Sequence, residues 1–388
     1  MRILFIEPCF IHFGGYHRAI NICNALASHK VKVDLLITSD KKFYPWIGKK
    51  KVNNYLTIYE LPRITLNFYI TGRILRGFIA TIFGLTKPYD IIHAAMPSQF
   101  ESNIPAFFLK LIGKKVVMDW DDICEESFVV HPFVTTYAHF CEYFFPKYLK
   151  NYCVCSTILA NLALERGATN VIKIINGTGT VNYPKHGKAE SIKRLSLDPN
   201  KKYLYSIGTT FAGQSRTYNF LKTFEYICQL DSSVQLLSNF DPQTVYVNEK
   251  LEGKINPEIF KNIINFGTRG YLSSDELSYY LSAADACLFL SGDDHLEKAN
   301  CPLRISGYIN AQKIVIVNDN NSEGSNMLKP FNCAVMDSDL QKLAKKTVKM
   351  LHNRQLQNTL ITNVKIAKKE LSMNHLIPKL INFYKNTK

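Results

Sequence analysis

The chain predicts an α/β protein built from two doubly wound units. Three observations lead there. Apolar runs rich in Ile, Val and Leu alternate with stretches of helical periodicity, the pattern of parallel strands covered on both faces. A polar segment with two prolines, "YPKHGKAESIKRLSLDPNKK" at 183–202, lacks periodicity and reads as a linker. The alternation then restarts, and 388 residues are too many for one ordinary core. The expected division is a first domain over 1–182, the linker over 183–202, a second domain over 203–365, and a C-terminal helix over 366–388 that can pack back on the first domain.

Each element follows from its own residues. "RILFIEP" is a strand, "GGYHRAINICNALASHK" a helix and "VKVDLLIT" a strand. A basic, aromatic insertion precedes the strand "YDIIHAA", the helix "SNIPAFFLKLIG" and the strand "KKVVMDW". "NYCVCST" is a short strand, "ILANLALERGA" a helix, and "VIKIING" closes the half. The second half runs "YLYSIGT" strand, "RTYNFLKTFEYICQL" helix, "VQLLSNF" strand, "NIINFGT" strand, "SSDELSYYLSAA" helix and "ACLFLSG" strand. A short helix led by Pro302, the strand "KIVIVND", the strand "CAVMD" and lysine-rich helices finish the chain. Ligands of such sheets bind beyond the carboxyl ends of the strands, so the loops that leave the strands carry the search for function.

The net charge is 47 − 32 = +15. Such a field attracts nucleic acid, anionic lipid or phosphorylated small molecules. The basic residues are dispersed and no recognition module is evident, so nucleic acid is not an expected partner. The ten cysteines are scattered without a CxxC pair and read as buried free thiols in a reducing, cytoplasmic setting. Met1 leads straight into a strand, and no apolar run is long enough to span a bilayer, so neither a signal peptide nor a transmembrane helix is expected. The segment 63–87, "RITLNFYITGRILRGFIATIFGLTK", is apolar nearly all round yet carries Arg63, Arg73, Arg76 and Lys87. It has two readings, a helix buried against the sheet or one lying in the headgroup region on the inner face of an anionic membrane.

The most informative stretch is "CPLRISGYINAQKIVIV" at 301–317. It places Arg304 one turn inside a helix start, where free N–H groups and the helix dipole suit a phosphate and guanidinium adds bidentate geometry. Gly14 and Gly15 likewise precede a helix after the first strand and let backbone approach an anion or a sugar. His12 and His17 flank that turn and read as structural.

Taken together, "RILFIEP…GGYHRAINICNAL…VKVDLLIT", "YDIIHA", "NVIKIINGTG", "INFGTRGYLSSDELSYYLSAADACLFLS" and "CPLRISGYINAQKIVIVND" follow the order and spacing of GT-B glycosyltransferases. The chain resembles the family 4 retaining branch most, over roughly residues 1–350. The resemblance implies two Rossmann-like domains facing across a cleft, a nucleotide-sugar donor on the second and a glycan or lipid-linked acceptor on the first. It implies no metal and no cofactor beyond the nucleotide-sugar. Arg304 and Pro302 stand where the family keeps a basic helix start beside the donor phosphates. Gly14 and Gly15 take the loop over the diphosphate. Gly208 opens the loop after the first strand of the second domain; Thr209 replaces the family's arginine there, and Arg216 matches its second basic residue. Arg269 and Gly270 fall in the loop that meets the nucleobase, and Ser322, Gly324 and Ser325 supply backbone donors. Arg18 and His93 are assigned to the acceptor.

Two features depart from the family. Its paired glutamates, spaced E-x7-E, are replaced by Ala299 and Gly307, leaving Asp293, Asp294 and Glu297 as replacement carboxylates. A histidine common after the "KKVVMDW" strand gives way to Asp119, Asp121 and Asp122. Asp121 or Asp122 then orients or deprotonates the acceptor hydroxyl, or simply caps the next helix. The same Asp-Trp-Asp matches the metal-binding pattern of GT-A enzymes, although a GT-A chain does not repeat its nucleotide-binding unit. The expected activity is transfer of a sugar with retention, in which Arg216 and Arg304 take up the charge of the departing diphosphate. The alternatives are a non-catalytic sugar-binding subunit and a metal-dependent enzyme.

Overall fold

The structure is a computed structural model describing residues 1–11, 14–41, 45–63, 69–127, 132–179, 186–207, 214–267 and 273–387. It resolves into two compact units, Met1–Thr180 with Ala299–Leu303 and Ser372–Lys388, and Val181–Lys298 with Arg304–Leu371.

The first unit is built on one sheet of β1 (Arg2–Ile6), β2 (Lys32–Thr38), β3 (Gly48–Lys51), β4 (Leu56–Leu61), β5 (Ile91–Ala95), β6 (Val116–Trp120), β7 (Asn151–Val154) and β8 (Asn170–Lys173). Their order is β3-β4-β2-β1-β5-β6-β7-β8, parallel throughout except for β3 against β4. β5 and β6 are buried at every position, including His93 and Asp119. The region read as an insertion holds the β3–β4 pair. β3 is "GKKK", and its exposed lysines guard the sheet edge against further pairing.

Around this sheet run α1 (Gly14–Ser28), α2 (Tyr69–Thr86), α3 (Phe100–Leu111), α4 (Cys124–Ser127), α5 (Pro132–Leu149) and α6 (Thr157–Glu165). α1 buries Ala19, Ile22, Cys23 and Leu26 at helical spacing, with Arg18 on the same stripe. α6 starts on Ser156, whose hydroxyl accepts the Leu159 N–H at 3.2 Å.

The second unit carries β9 (Lys202–Ser206), β10 (Val234–Ser238), β11 (Ile263–Asn265), β12 (Ala286–Leu288), β13 (Ile314–Asn318) and β14 (Ala334–Asp337), ordered β11-β10-β9-β12-β13-β14 and all parallel. Its helices are α7 (Lys188–Arg194), α8 (Gln214–Leu230), α9 (Pro242–Asn248), α10 (Ser274–Ala283), α11 (His295–Ala299), α12 (Leu303–Asn310), α13 (Glu323–Asn326), α14 (Leu340–His352) and α15 (Arg354–Glu370). α7 lies inside the stretch read as a linker and buries Ser191 and Ile192. The last helix, α16 (Met373–Asn386), belongs to the first unit, where Met373, Ile377, Leu380, Phe383 and Tyr384 join Ile22 and Leu26 in one core.

Both sheets wind outward from a central strand pair, β1–β5 in the first unit and β9–β12 in the second. The connections reverse direction at that pair, opening a crevice at its carboxyl end, the place where doubly wound sheets take ligands.

Candidate functional site

In the second unit the crevice lies beyond β9 and β12. Arg216 sits in the first turn of α8 and Arg304 in the first turn of α12. Both guanidiniums approach the Phe289 ring, which follows β12: the Cζ atoms stand 5.7 Å and 5.2 Å from its centroid. Arg304 Nη1 donates to the Ile207 carbonyl at 3.3 Å, and the Ile207 N–H donates to the Tyr308 hydroxyl at 3.1 Å. Tyr308, the second residue of the "GY" pair, thus holds the strand end on which Arg304 rests. Burial pushes the Arg304 guanidinium down from its ordinary value, and neighbouring Arg216 adds to the effect.

Glu297 balances only Arg216, accepting from its Nε at 2.7 Å and its Nη2 at 2.5 Å. Burial raises the Glu297 carboxyl, and Arg216 counters it. Among the described residues no carboxylate pairs with Arg304. The replacement carboxylates therefore separate. Glu297 is buried on Arg216, so it is taken up as that residue's counter-charge and does not stand free as a replacement for the family's glutamates. Asp293 and Asp294 are exposed; Asp294 Oδ1 accepts the Glu297 N–H at 2.8 Å, and Asp293 Oδ2 accepts from Asn219 Nδ2 at 3.4 Å. Pro302 is buried before α12. Ser325 is buried too, and its N–H donates to Ser322 Oγ at 3.3 Å, so Ser322 caps α13 and the Ser325 N–H is taken up within the helix start. Gly208, Thr209, Arg269, Gly270 and His12 lie outside the described residues.

In the first unit, Arg18 and Asp119 form a buried pair, Nε to Oδ2 at 2.9 Å and Nη2 to Oδ1 at 2.7 Å. Arg18 Nη1 also donates to the Ile174 carbonyl at 2.9 Å and to Asn176 Oδ1 at 2.8 Å. His93 Nε2 lies 3.5 Å from Asp119, its Nδ1 is 2.7 Å from the Tyr384 hydroxyl, and Phe5 stacks on its ring at 4.2 Å. Burial pushes the Asp119 carboxyl up, but Arg18 and His93 hold it well below the usual carboxylate range. The expected acceptor roles of Arg18 and His93 are thereby corrected. Arg18 is 3% exposed and His93 0%, so both belong to a buried network that ties α1, β5, β6 and α16 together. The same pairing uses up Asp119 as the first acid of Asp-Trp-Asp. His93, Asp119 and Cys153 do offer ligand atoms within 4.8 Å of one another, but a cation there would have to displace the Arg18 guanidinium.

Asp121 lies beyond β6, its Oδ1 buried and unpartnered; burial raises its carboxyl to about 6. Asp122 is half-buried, and its carbonyl accepts the Trp120 indole N–H at 2.8 Å. Glu7, at the end of β1, escaped the sequence reading although an acid closing an apolar strand is a usable signal. It is 3% exposed, and burial, with Asp121 nearby, raises it to about 8. Gly14 is exposed; Gly15 lies so close to Glu7 that a Cβ there would stand 2.8 Å from Oε1.

Within the segment 63–87, α2 has one packed face and one exposed apolar face. The inner face of α2 packs on α3 through small residues: a Cβ on Gly77 would stand 2.6 Å from the Phe100 carbonyl, and one on Gly84 2.5 Å from Leu109. The outer face exposes Leu75, Phe78, Ile82 and Leu85. Its cations turn inward: Arg73 and Arg76 pair with Glu101, Lys87 with Asp34, and Arg63 donates to the Asp40 carbonyl. No described helix is long and apolar enough to cross a membrane.

No protein-family model matches the chain, and no curated protein matches it in sequence. Solved structures do match over nearly the whole length. Sucrose-phosphate synthase from Thermosynechococcus elongatus superposes with a TM-score of 0.73 at 14% identity, covering 99% of this chain and 98% of that one. An E. coli trehalose-6-phosphate structure bound with UDP-2-fluoro glucose gives 0.67 at 13%, covering both chains fully at 100%. WaaG, a glycosyltransferase involved in lipopolysaccharide biosynthesis, gives 0.64 at 13%, covering 99% of this chain and 100% of that one. The chain thus has the two-domain, Rossmann-like GT-B fold of these proteins.

Proposed function

We propose that this protein is a glycosyltransferase, moving a sugar from a nucleoside-diphosphate sugar to a hydroxyl of a glycan or lipid-linked acceptor. The observation that carries the reading is the pair of guanidiniums, Arg216 and Arg304, set against one aromatic ring at the carboxyl end of β9 and β12. When the anomeric C–O bond breaks, negative charge develops on the leaving diphosphate. Two fixed cations in a partly dry site offset that charge without reorganising. Arg304, which no carboxylate among the described residues neutralises, contributes most; Arg216 shares its charge with Glu297. A pair that supplies the positive charge makes the reaction metal-independent. Retention follows the family 4 resemblance. The fold neighbour bound with UDP-2-fluoro glucose supports a nucleotide-sugar donor. The exposed apolar stripe of α2 supports a cytoplasmic protein resting on the inner face of a membrane beside a lipid-linked acceptor.

Replacing Arg304 by Ala tests the reading. With a panel of nucleotide-sugars, nucleoside diphosphate release is expected to fall about 100-fold or more while thermal unfolding stays unchanged. Wild-type rates in that variant would remove Arg304 from the mechanism. A second reading, a non-catalytic sugar-binding subunit, draws on Gly307 and Ala299 in place of the family's glutamates. It predicts glycan binding with no nucleoside diphosphate released from any donor.

A further inference from the structure

The loop that leaves β12 carries Glu297 to Arg216, and side chains from α8 and from the end of β13 hold it in place. The ladder between β12 and β13 closes where the Phe289 N–H donates to the Ile316 carbonyl at 2.9 Å. Beyond Phe289 a side chain takes over the pairing. Asn318, the last residue of β13 and 3% exposed, accepts the Ser291 N–H on Oδ1 at 2.8 Å. Its Nδ2 donates to the Ser291 carbonyl at 3.0 Å, so the amide adds one more rung to the sheet. The backbone of Asn318 is itself fixed, in register with Asp337 of β14. Asn219 Nδ2 reaches the same Ser291 carbonyl at 3.0 Å, and Asn320 Nδ2 the Gly292 carbonyl at 2.6 Å. The Asp293 N–H donates to Ser215 Oγ at 2.9 Å.

The clamped residues lie in the chain between Phe289, whose ring both guanidiniums approach, and Glu297, whose Oε2 takes Arg216 Nε and Nη2. One carboxylate oxygen shared by two nitrogens fixes which edge of the guanidinium faces it. The fit behind that carboxylate is close. The Gly292 N–H donates to Oε2 at 3.4 Å, and a Cβ on Gly292 would stand 2.9 Å from Glu297 Cγ. Asp294 Oδ1 accepts the Glu297 N–H at 2.8 Å, which ties the carboxylate's helix turn to the same loop. We propose that Asn318 is a positioning residue: it holds the loop 291–297 so that Glu297 keeps the guanidinium of Arg216 in one orientation for a diphosphate. The inference deepens the glycosyltransferase reading and rests on Arg216 as a cation for the leaving diphosphate; Asn318 itself needs no contact with the ligand. Removing its amide leaves the N–H of Ser291, a residue 1% exposed, without its acceptor, and the loop must shift to satisfy it. A shift of that kind reaches Arg216 through Glu297.

Saturation-transfer NMR and isothermal titration on the full-length protein test the role. The probes are uridine, guanosine, adenosine and cytidine diphosphates, each beside its nucleoside. For the diphosphate that binds best, Asn318→Ala is expected to weaken affinity about tenfold and to leave the matching nucleoside within about twofold of wild type. Gly292→Ala, which crowds Glu297 and leaves the Asn318 amide in place, is expected to give the same phosphate-specific loss. On an Arg216→Ala background, Asn318→Ala is expected to change diphosphate affinity by less than about twofold, whereas on an Arg304→Ala background it keeps its effect. A merely structural role would weaken nucleoside and diphosphate alike on every background. Thermal unfolding verifies that each variant is folded, and Gly292→Ala carries the same cycle should Asn318→Ala not fold. Unchanged diphosphate affinity in the folded variants, an equal loss for the nucleoside, or a full loss on the Arg216→Ala background would each overturn the positioning role alone. Wild type that binds none of the diphosphates would instead defeat the transferase reading, and the role of Asn318 with it.

Discussion

Glu7 shows what one side chain can cost and where sequence reading fails. A carboxyl raised from its ordinary value to about 8 binds its proton more tightly in the folded chain than in the unfolded one. Between the two values the folded state holds the extra proton. Its stabilising effect is complete below the unfolded value and is lost as pH rises through about 8, at about 1.4 kcal/mol per pH unit. Glu7→Gln removes that dependence, so urea unfolding is expected to show the variant gaining on wild type from pH 5 to pH 8 and levelling off above. A difference that stays flat with pH would mean that Glu7 titrates as an ordinary surface acid. Arg304 stood out as a basic residue one turn inside a helix start, a local pattern, whereas Arg216 entered only through the family 4 resemblance. The pairing of Arg216 with Glu297 was not legible, because the two lie 81 residues apart. Arg18 read as a cleft residue for the same reason: its tie to Asp119 spans 101 residues.

At the scale of elements, the strands followed from their Ile, Val and Leu runs, whereas two pieces did not. α5, "PFVTTYAHFCEYFFPKYL", is so aromatic and threonine-rich that no helical stripe stands out from its apolar background. β3 is three lysines after a glycine, an edge strand formed by its partner and without an apolar pattern of its own. α2 was ambiguous because both of its faces are apolar, and only the glycines decide which packs. Gly77 and Gly84 let α3 approach closely, leaving Leu75, Phe78, Ile82 and Leu85 at 43%, 47%, 59% and 53% exposure. Because Arg63, Arg73, Arg76 and Lys87 have internal partners, the membrane attachment proposed for this helix is expected to be apolar in origin and to withstand salt. Sedimentation with phosphatidylglycerol vesicles is expected to recover wild type in the pellet at low and high salt alike. Phe78→Asp with Ile82→Asp is expected to leave the protein in the supernatant, and a double variant that still pellets would assign the contact elsewhere.

For the whole molecule, the decisive fact is that the first unit is completed by the last residues of the chain. Thr178 bridges to Ser372, the Met373 N–H donates to the Thr178 carbonyl at 3.1 Å, and Tyr384 reaches the imidazole of His93 in the centre of the sheet. Met373, Ile377, Leu380, Phe383 and Tyr384 are all buried against that unit. At about 1.5–3 kcal/mol for each buried side chain, their removal takes away stabilisation on the order of the whole net stability of a domain. It would also strip His93 of its hydroxyl partner inside the Arg18–Asp119 network. The second unit contains none of these residues, and its core is closed by its own helices α8 and α14. A chain ending at Leu371 is therefore expected to lose one unit selectively. Limited proteolysis with mass spectrometry should find new cleavage throughout 1–180 and continued protection of 214–267 and 304–371. Tyr384→Phe, which keeps the ring and deletes only the hydroxyl, separates the polar tie from the packing: it should destabilise by about 1 kcal/mol and leave the digestion pattern intact. Equal loss of protection in both units on truncation would show that α16 supports the entire chain rather than the first sheet alone.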